Sequence, residues 1–167
     1  MVHRQFRDLD RNSFLIIYKD FIRPHPEHAI QTRSPYQKGD IEHSEKVQRR
    51  ATRLVNGYRK LSYEERLRKL GLTTLQTRRL RGDLIETFKI ITGKEQVNRE
   101  TFFQMNRNVY DTRGHSFKLA TSRSRLEARR NFFSQRVISH WNRLPAHVVE
   151  TDTVNTFKNR LDKEWGN

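Results

Sequence analysis

Apolar side chains recur along this chain at spacings of three and four, the period of an α-helix with one buried face. Phe14, Ile17, Tyr18 and Phe21 form the first stripe, with Asn12 or Ser13 as its cap. The stripe predicts a helix that stops at Arg23-Pro24, because proline keeps the preceding residue out of the helical region. From Asp40, the positions Ile41, Val47, Ala51, Leu54 and Val55 predict a second helix closed by Asn56-Gly57. Ser62-Tyr63-Glu64-Glu65 has the capping-box pattern, in which serine and glutamate each satisfy an orphan backbone N–H. A short helix through Leu67 and Leu70 follows, with Gly71 as its end. Thr73 or Thr74 then caps a helix whose buried stripe is Leu80, Leu84, Phe88 and Ile91, ending at Gly93. Asn98 caps one turn bearing Phe102 and Phe103.

The period changes to two around Thr112–Leu119, which predicts a short extended segment, with a pairing partner sought near 121–127. Asn131 to Arg143 again reads as helix, with Phe133, Val137, Ile138 and Trp141 inward, and Leu144-Pro145 stops it. Thr153 caps a last helix through Val154, Phe157, Leu161 and Trp165. The expected fold class is therefore mainly α, built from short helices with at most a minor β element.

Composition narrows this picture. The chain has 167 residues, 34% of them hydrophobic, and a formal net charge of +15. Charge alone suggests a disordered basic tail, yet 10 of the residues are Phe, and disordered segments are poor in aromatics. The absence of cysteine excludes a disulfide scaffold, a thiolate zinc site and a cysteine nucleophile. No run of about 18 apolar residues is present, so no membrane partner is expected. The start lacks the apolar stretch of a signal peptide, which makes an intracellular setting, nucleus and cytoplasm, the expectation.

The charge is concentrated. Residues 38–81 hold 13 Lys/Arg against 5 Asp/Glu, and residues 113–143 hold 8 against 1. Arginine dominates both blocks, and its planar fork pairs with phosphate oxygens and stacks on bases. Two basic blocks predict two surfaces, or one composite surface, facing RNA or DNA. In the first block the candidates are Lys46, Arg49, Arg50 and Arg53, on adjoining faces of one helix, together with Arg78 and Arg79. In the second, Arg113 and His115 flank Gly114, the histidine serving either a phosphate or base contact or the turn itself. Arg123, Arg125, Arg129 and Arg130 precede Phe132 and Phe133. Basic residues beside aromatics suit single strands, where rings stack on bases, although one of the two rings is expected in the core.

Other constellations carry little. His25-Pro26-Glu27-His28 has metal-ligand types, but Pro26 spoils the helical register and no third ligand is evident, so no metal site is assigned. Ser116, His140 and Asp152 lack the nucleophile elbow of a triad. No catalytic residue is assigned.

The ordered blocks together resemble a known family. Arg23-Pro24-His25-x-Glu27, Ser34-Pro35-Tyr36 and Glu45-Lys46-Val47-Gln48-Arg49-Arg50-Ala51-Thr52 look like the region after the polymerase palm in LINE-type (non-LTR) retrotransposon reverse transcriptases. Tyr63-Glu64-Glu65-Arg66-Leu67, Leu70-Gly71-Leu72-Thr73-Thr74-Leu75 and Arg79-Leu80-Arg81-Gly82-Asp83-Leu84 continue it. Arg113-Gly114-His115-Ser116, Asn131-Phe132-Phe133-Ser134-Gln135-Arg136-Val137, Trp141-Asn142-x-Leu144-Pro145, and Thr153, Phe157-Lys158, Leu161-Asp162 complete it. The similarity runs from about Ser13 to Trp165.

The resemblance implies a partial thumb-like helical segment over 1–60 and a basic helical C-terminal domain over 61–167. It implies template–primer or element RNA as partner, and in a full-length protein the missing polymerase palm. The family's RNA-directed DNA polymerase chemistry uses aspartates that hold two magnesium ions. This chain has no Asp-Asp pair, so it is expected to be no enzyme by itself, with no cofactor of its own. The expectation is a C-terminal fragment of such a polymerase that keeps RNA/DNA backbone binding. The alternative is a standalone basic helical nucleic-acid-binding or architectural protein, derived from such an element or unrelated to it.

The chain departs from the family at three places. Pro26-Glu27-His28 stands where Leu-Glu-Tyr is usual, Arg33 where Trp precedes Ser-Pro-Tyr, and His43-Ser44 where a Leu pair precedes Glu-Lys-Val. Leu→Pro, Tyr→His, Trp→Arg and Leu→Ser each need one T-to-C change, which points to a decaying or edited genomic copy. Buried sites losing such apolar groups would each lose about 2–5 kcal/mol. The same four residues in several independent copies would contradict decay.

Overall fold

The computed structural model describes residues 9–24, 35–106 and 114–166. Pro26, Glu27, His28, Arg33 and Arg113 lie outside them. The chain is mainly helical, as the spacing predicts. Among the described residues the β content is two isolated bridges. Two compact units are present, Met1–Arg79 and Leu80–Asn167.

The first unit opens with α1, Arg11–Ile17. Its cap is Asp10, not Asn12 or Ser13: the Asp10 carboxylate accepts from the Ser13 amide at 2.7 Å and from its hydroxyl at 3.0 Å. These bonds hold the Asp10 carboxyl below the usual range. The helix runs on as a π-helical turn, Tyr18–Ile22. A π turn carries more residues than an α turn and shifts the phase of everything after it. Phe14 and Tyr18 are buried as expected, but Ile22 packs against the core in place of Phe21, which is 68% exposed.

Helix α2 spans Lys38–Thr52. Its buried face is largely polar: Glu45, Gln48 and Thr52 lie at helical spacing with Ala51, while Val47, expected inside, is exposed. The helix ends at Thr52, short of Val55. Val55 instead forms a parallel bridge with Leu9, and the Asn56 amide donates to the Leu9 carbonyl at 3.0 Å. Helix α3, Tyr63–Leu70, has the predicted capping box, with both reciprocal bonds present. Gly71 closes it at φ 65, a left-handed conformation that costs a Cβ-bearing residue energy, and Leu72 folds back so that its amide bonds the Leu67 carbonyl at 2.9 Å. The core of this unit is Leu9, Phe14, Tyr18, Ala51, Val55, Leu67, Leu70 and Leu72. Residues 61–72, grouped by the sequence with the C-terminal segment, thus pack in the first unit.

Helix α4, Leu75–Ile91, starts with Thr74 accepting from the Thr77 amide at 3.2 Å. In the second unit Leu84, Phe88 and Ile91 are buried along it, and Leu80 is half-buried. Helix α5, Arg99–Phe102, is capped by Asn98. The extended segment is present but pairs with 104–106, not with 121–127: the Asn106 amide donates to Lys118 and the Ala120 amide to Gln104, around the bridge Met105–Leu119. The other edge of Leu119 is taken by the Asn142 amide, which accepts from its N–H at 2.9 Å and donates to its carbonyl at 2.8 Å. A backbone with both edges satisfied has no hydrogen-bonding group to offer a further strand.

Single turns follow: α6 Glu127–Arg130, α7 Phe133–Arg136, α8 Ile138–Trp141 and α9 Ala146–Val149. The one helix expected over 131–143 is therefore two short ones, with Phe133, Val137, Ile138 and Trp141 inward as predicted. The final helix α10, Val154–Glu164, is capped by Thr153, which accepts from the Thr156 amide at 3.0 Å. The core here is aromatic. Phe88 stacks on Phe157 with centroids 4.5 Å apart, Trp141 lies 6.0 Å from Phe157, and Phe103 meets Phe133 edge-on at 5.6 Å.

Candidate nucleic-acid interface

Two classes of arginine stand out among the described residues, one held in the fold and one presented to solvent. The structural class is anchored by side-chain partners. Arg66 is buried; its Nε donates to the Thr52 hydroxyl at 3.1 Å and its Nη1 to the Leu61 carbonyl at 2.7 Å. Burial pushes its pKa down from the ordinary guanidinium value, and its neighbours Arg53 and Arg49 push the same way. Arg136 makes a two-pronged bond to the buried carboxylate of Asp83, at 2.8 and 2.9 Å, and its Nη1 donates to the Asn131 carbonyl at 3.0 Å. Burial raises the Asp83 carboxyl, and Arg136 opposes that shift. Arg81 pairs with Asp162 in the same forked manner at 2.6 and 2.7 Å.

The presented class begins on α2. Lys46, Arg49, Arg50 and Arg53 are all exposed. A polar inner face anchors the helix that carries them. Tyr18 donates its hydroxyl to Gln48 at 2.6 Å, and Gln48 donates to the Thr73 carbonyl at 2.9 Å. Glu45 accepts from the Tyr63 hydroxyl and, at 3.2 Å, from the Leu75 amide. Burial, then the hydrogen bond to Glu45, raises the Tyr63 phenol far above its ordinary value, so it stays protonated. The Arg49 guanidinium lies 5.0 Å from the centroid of the Tyr63 ring, within cation–π range.

In the second unit Arg123, Arg125, Arg129 and Arg130 are exposed. Among the described residues none of these eight cations is in an ion pair. Of the two adjacent rings, Phe133 is in the core and Phe132 is outside.

Two expected contacts, His115 and Arg79, are placed differently. His115 is 2% exposed; its Nε2 lies 3.0 Å from the Trp141 carbonyl and its ring meets Trp141 edge-on at 5.6 Å. Burial lowers its pKa, so the ring is held neutral inside the fold, and it serves the core instead of phosphate. Arg79 is buried, and Arg78 is half-buried. Arg79 does not offer the open guanidinium that phosphate contact needs.

Asp83, Arg136, Arg81 and Asp162 have no assigned role in the sequence, yet they sit inside its motif blocks. Asp83 and Arg136, Arg81 and Asp162, and His115 and Trp141 are partners across three pairs of blocks. Ser44 is half-buried and bonds its hydroxyl back to the Asp40 carbonyl at 3.0 Å.

Among the described residues no group of three or more His, Asp or Glu side chains is placed to hold a metal ion. Among the same residues no helix is long and apolar enough to cross a membrane. The chain matches no family model, no curated protein and no solved structure.

Proposed function

We propose that the chain is a C-terminal part of a LINE-type reverse transcriptase that grips RNA or DNA by the phosphate backbone and carries no polymerase centre of its own. The observation that supports this most is the eight exposed cations on α2 and over 123–130, none of which pairs with a carboxylate among the described residues. Solvated faces of ordinary domains mix both signs, and a net charge of about 2–8 suffices for solubility, well short of +15. Arginine presents a planar donor whose fork is already organised for phosphate oxygens. Phosphate contacts of this kind fix position without reading bases, so little sequence preference is expected.

The test is fluorescence anisotropy with labelled RNA and DNA at several salt concentrations. Binding releases condensed counterions, so affinity should fall steeply with salt, with a log–log slope of about −0.7 per phosphate neutralised on a single strand. Undetectable or salt-independent binding overturns the reading. The genomic sequence upstream decides the polymerase part: an in-frame aromatic-x-Asp-Asp turn supports it, and a promoter in clean non-coding sequence favours a standalone binder.

A further inference from the structure

We propose that residues 123–132 form a platform for single-stranded nucleic acid, with the Phe132 ring stacking on a base while Arg123, Arg125, Arg129 and Arg130 hold the flanking phosphates. This rests on the nucleic-acid reading above and specifies its substrate. Phe132 is 53% exposed and Leu126 is 71% exposed, although other aromatic rings in this unit are in its core. An exposed ring is unusual in a unit whose aromatics pack so closely, and here the fold enforces it.

The enforcement is local. Phe133 is locked into the core between Phe102 and Phe103, with centroids at 6.4 and 5.6 Å. On the other side, the Asn131 carbonyl accepts from Arg136, whose guanidinium is itself clamped on Asp83. The Asn131 side chain bonds the Glu127 carbonyl at 2.9 Å, and the Phe132 amide bonds the Arg129 carbonyl at 3.2 Å. With both neighbours of Phe132 fixed, its side chain is held outward on a rigid backbone.

The charge around it selects the partner. Residues 121–132 contain four arginines and one acid, Glu127. An apolar protein groove would gain nothing from four arginines that no carboxylate among the described residues pairs with, whereas a nucleic-acid strand supplies both a π-face and phosphates. In a duplex the bases are already stacked on each other, so the ring has a partner only on a single strand. Stacking tolerates any base, which fits a grip of low sequence preference.

The experiment compares labelled oligo-uridine and oligo-thymidine with a hairpin duplex of matched phosphate number, using the full chain. Phe132→Ala should weaken single-strand binding about tenfold or more and leave duplex binding unchanged. Phe132→Trp should restore single-strand affinity, with its added fluorescence quenched on binding, whereas Phe132→Leu should not. Unchanged circular dichroism for all three variants checks the fold. If Phe132→Ala binds single strands as well as the parent, the platform is wrong and the arginine grip stands. If Phe132→Leu matches Phe132→Trp, the ring is merely an apolar contact and the stacking proposal falls. If the parent binds neither form, the underlying nucleic-acid reading fails as well.

Discussion

The two units solve the same problem, a small core in a charged chain, by different chemistry. The first has few large apolar groups, and its central helix turns Glu45, Gln48 and Thr52 inward. It is held by a hydrogen-bond lattice in which each buried polar atom of Gln48 and Arg66 named above meets a partner. The second has an aromatic core around Phe88, Trp141 and Phe157, with forked ion pairs at its margin. Buried polar groups contribute little net stability when satisfied and cost much when orphaned, whereas aromatic burial is favourable outright. The units should therefore respond to different substitutions.

The largest effect is expected in the aromatic core. Trp141→Ala removes a side chain with no exposure and the indole N–H that donates to the Phe117 carbonyl at 2.7 Å. It should destabilise the second unit by about 3–5 kcal/mol, read by denaturant titration. Next is the clamp. Asp83→Ala leaves Arg136 without its carboxylate and should cost about 3 kcal/mol, while replacing both partners by apolar residues of similar size should recover most of that loss. If the double variant is no better than the single one, the pair contributes more than its mutual neutralisation.

Smaller losses test the lattice. Gln48→Ala removes the acceptor of the Tyr18 hydroxyl and the donor to the Thr73 carbonyl, at about 1–3 kcal/mol, and Gln48→Met should be no rescue, because both hydrogen bonds stay lost. A comparable loss from Val47→Ala, on the exposed side of the same helix, would break the assignment of faces. Smallest is the pH response of the second unit. The pKa of His115 is lowered in the fold from an unfolded value of 6.5, so below that pH the unfolded state binds the extra proton. The His115 contribution is fully present above about pH 6.5 and is lost as pH falls through the folded pKa. His115→Gln should flatten that part of the stability–pH curve; an unchanged curve would mean that the ring is not the titrating group.

Helix existence, the capping box at Ser62 and the stops at Gly71 and Gly93 were legible in the sequence, because local geometry demands those residues. The faces of α1 and α2 were less legible. A π turn moves Phe21 out of a stripe that looks continuous in the sequence, and an inner face made of Glu45, Gln48 and Thr52 has no apolar period to detect. The partner of the extended segment was hidden because a side chain, Asn142, occupies one edge of Leu119. Of the candidate contacts, solvent exposure separates the eight cations of α2 and 123–130 from His115 and Arg79, and burial cannot be read from residue type. Two neighbouring phenylalanines gave one buried and one exposed ring, and only packing could say which.

The central claim is that exposed arginines bind and buried arginines hold. Its most direct test replaces Arg123, Arg125, Arg129 and Arg130 together by Gln and measures the salt dependence of RNA affinity beside an unfolding curve. Each lost phosphate contact should reduce the log–log salt slope on single-stranded RNA by about 0.7, with weaker binding at low salt and an unfolding midpoint close to the parent's. Unchanged affinity and slope in a folded variant would contradict the claim.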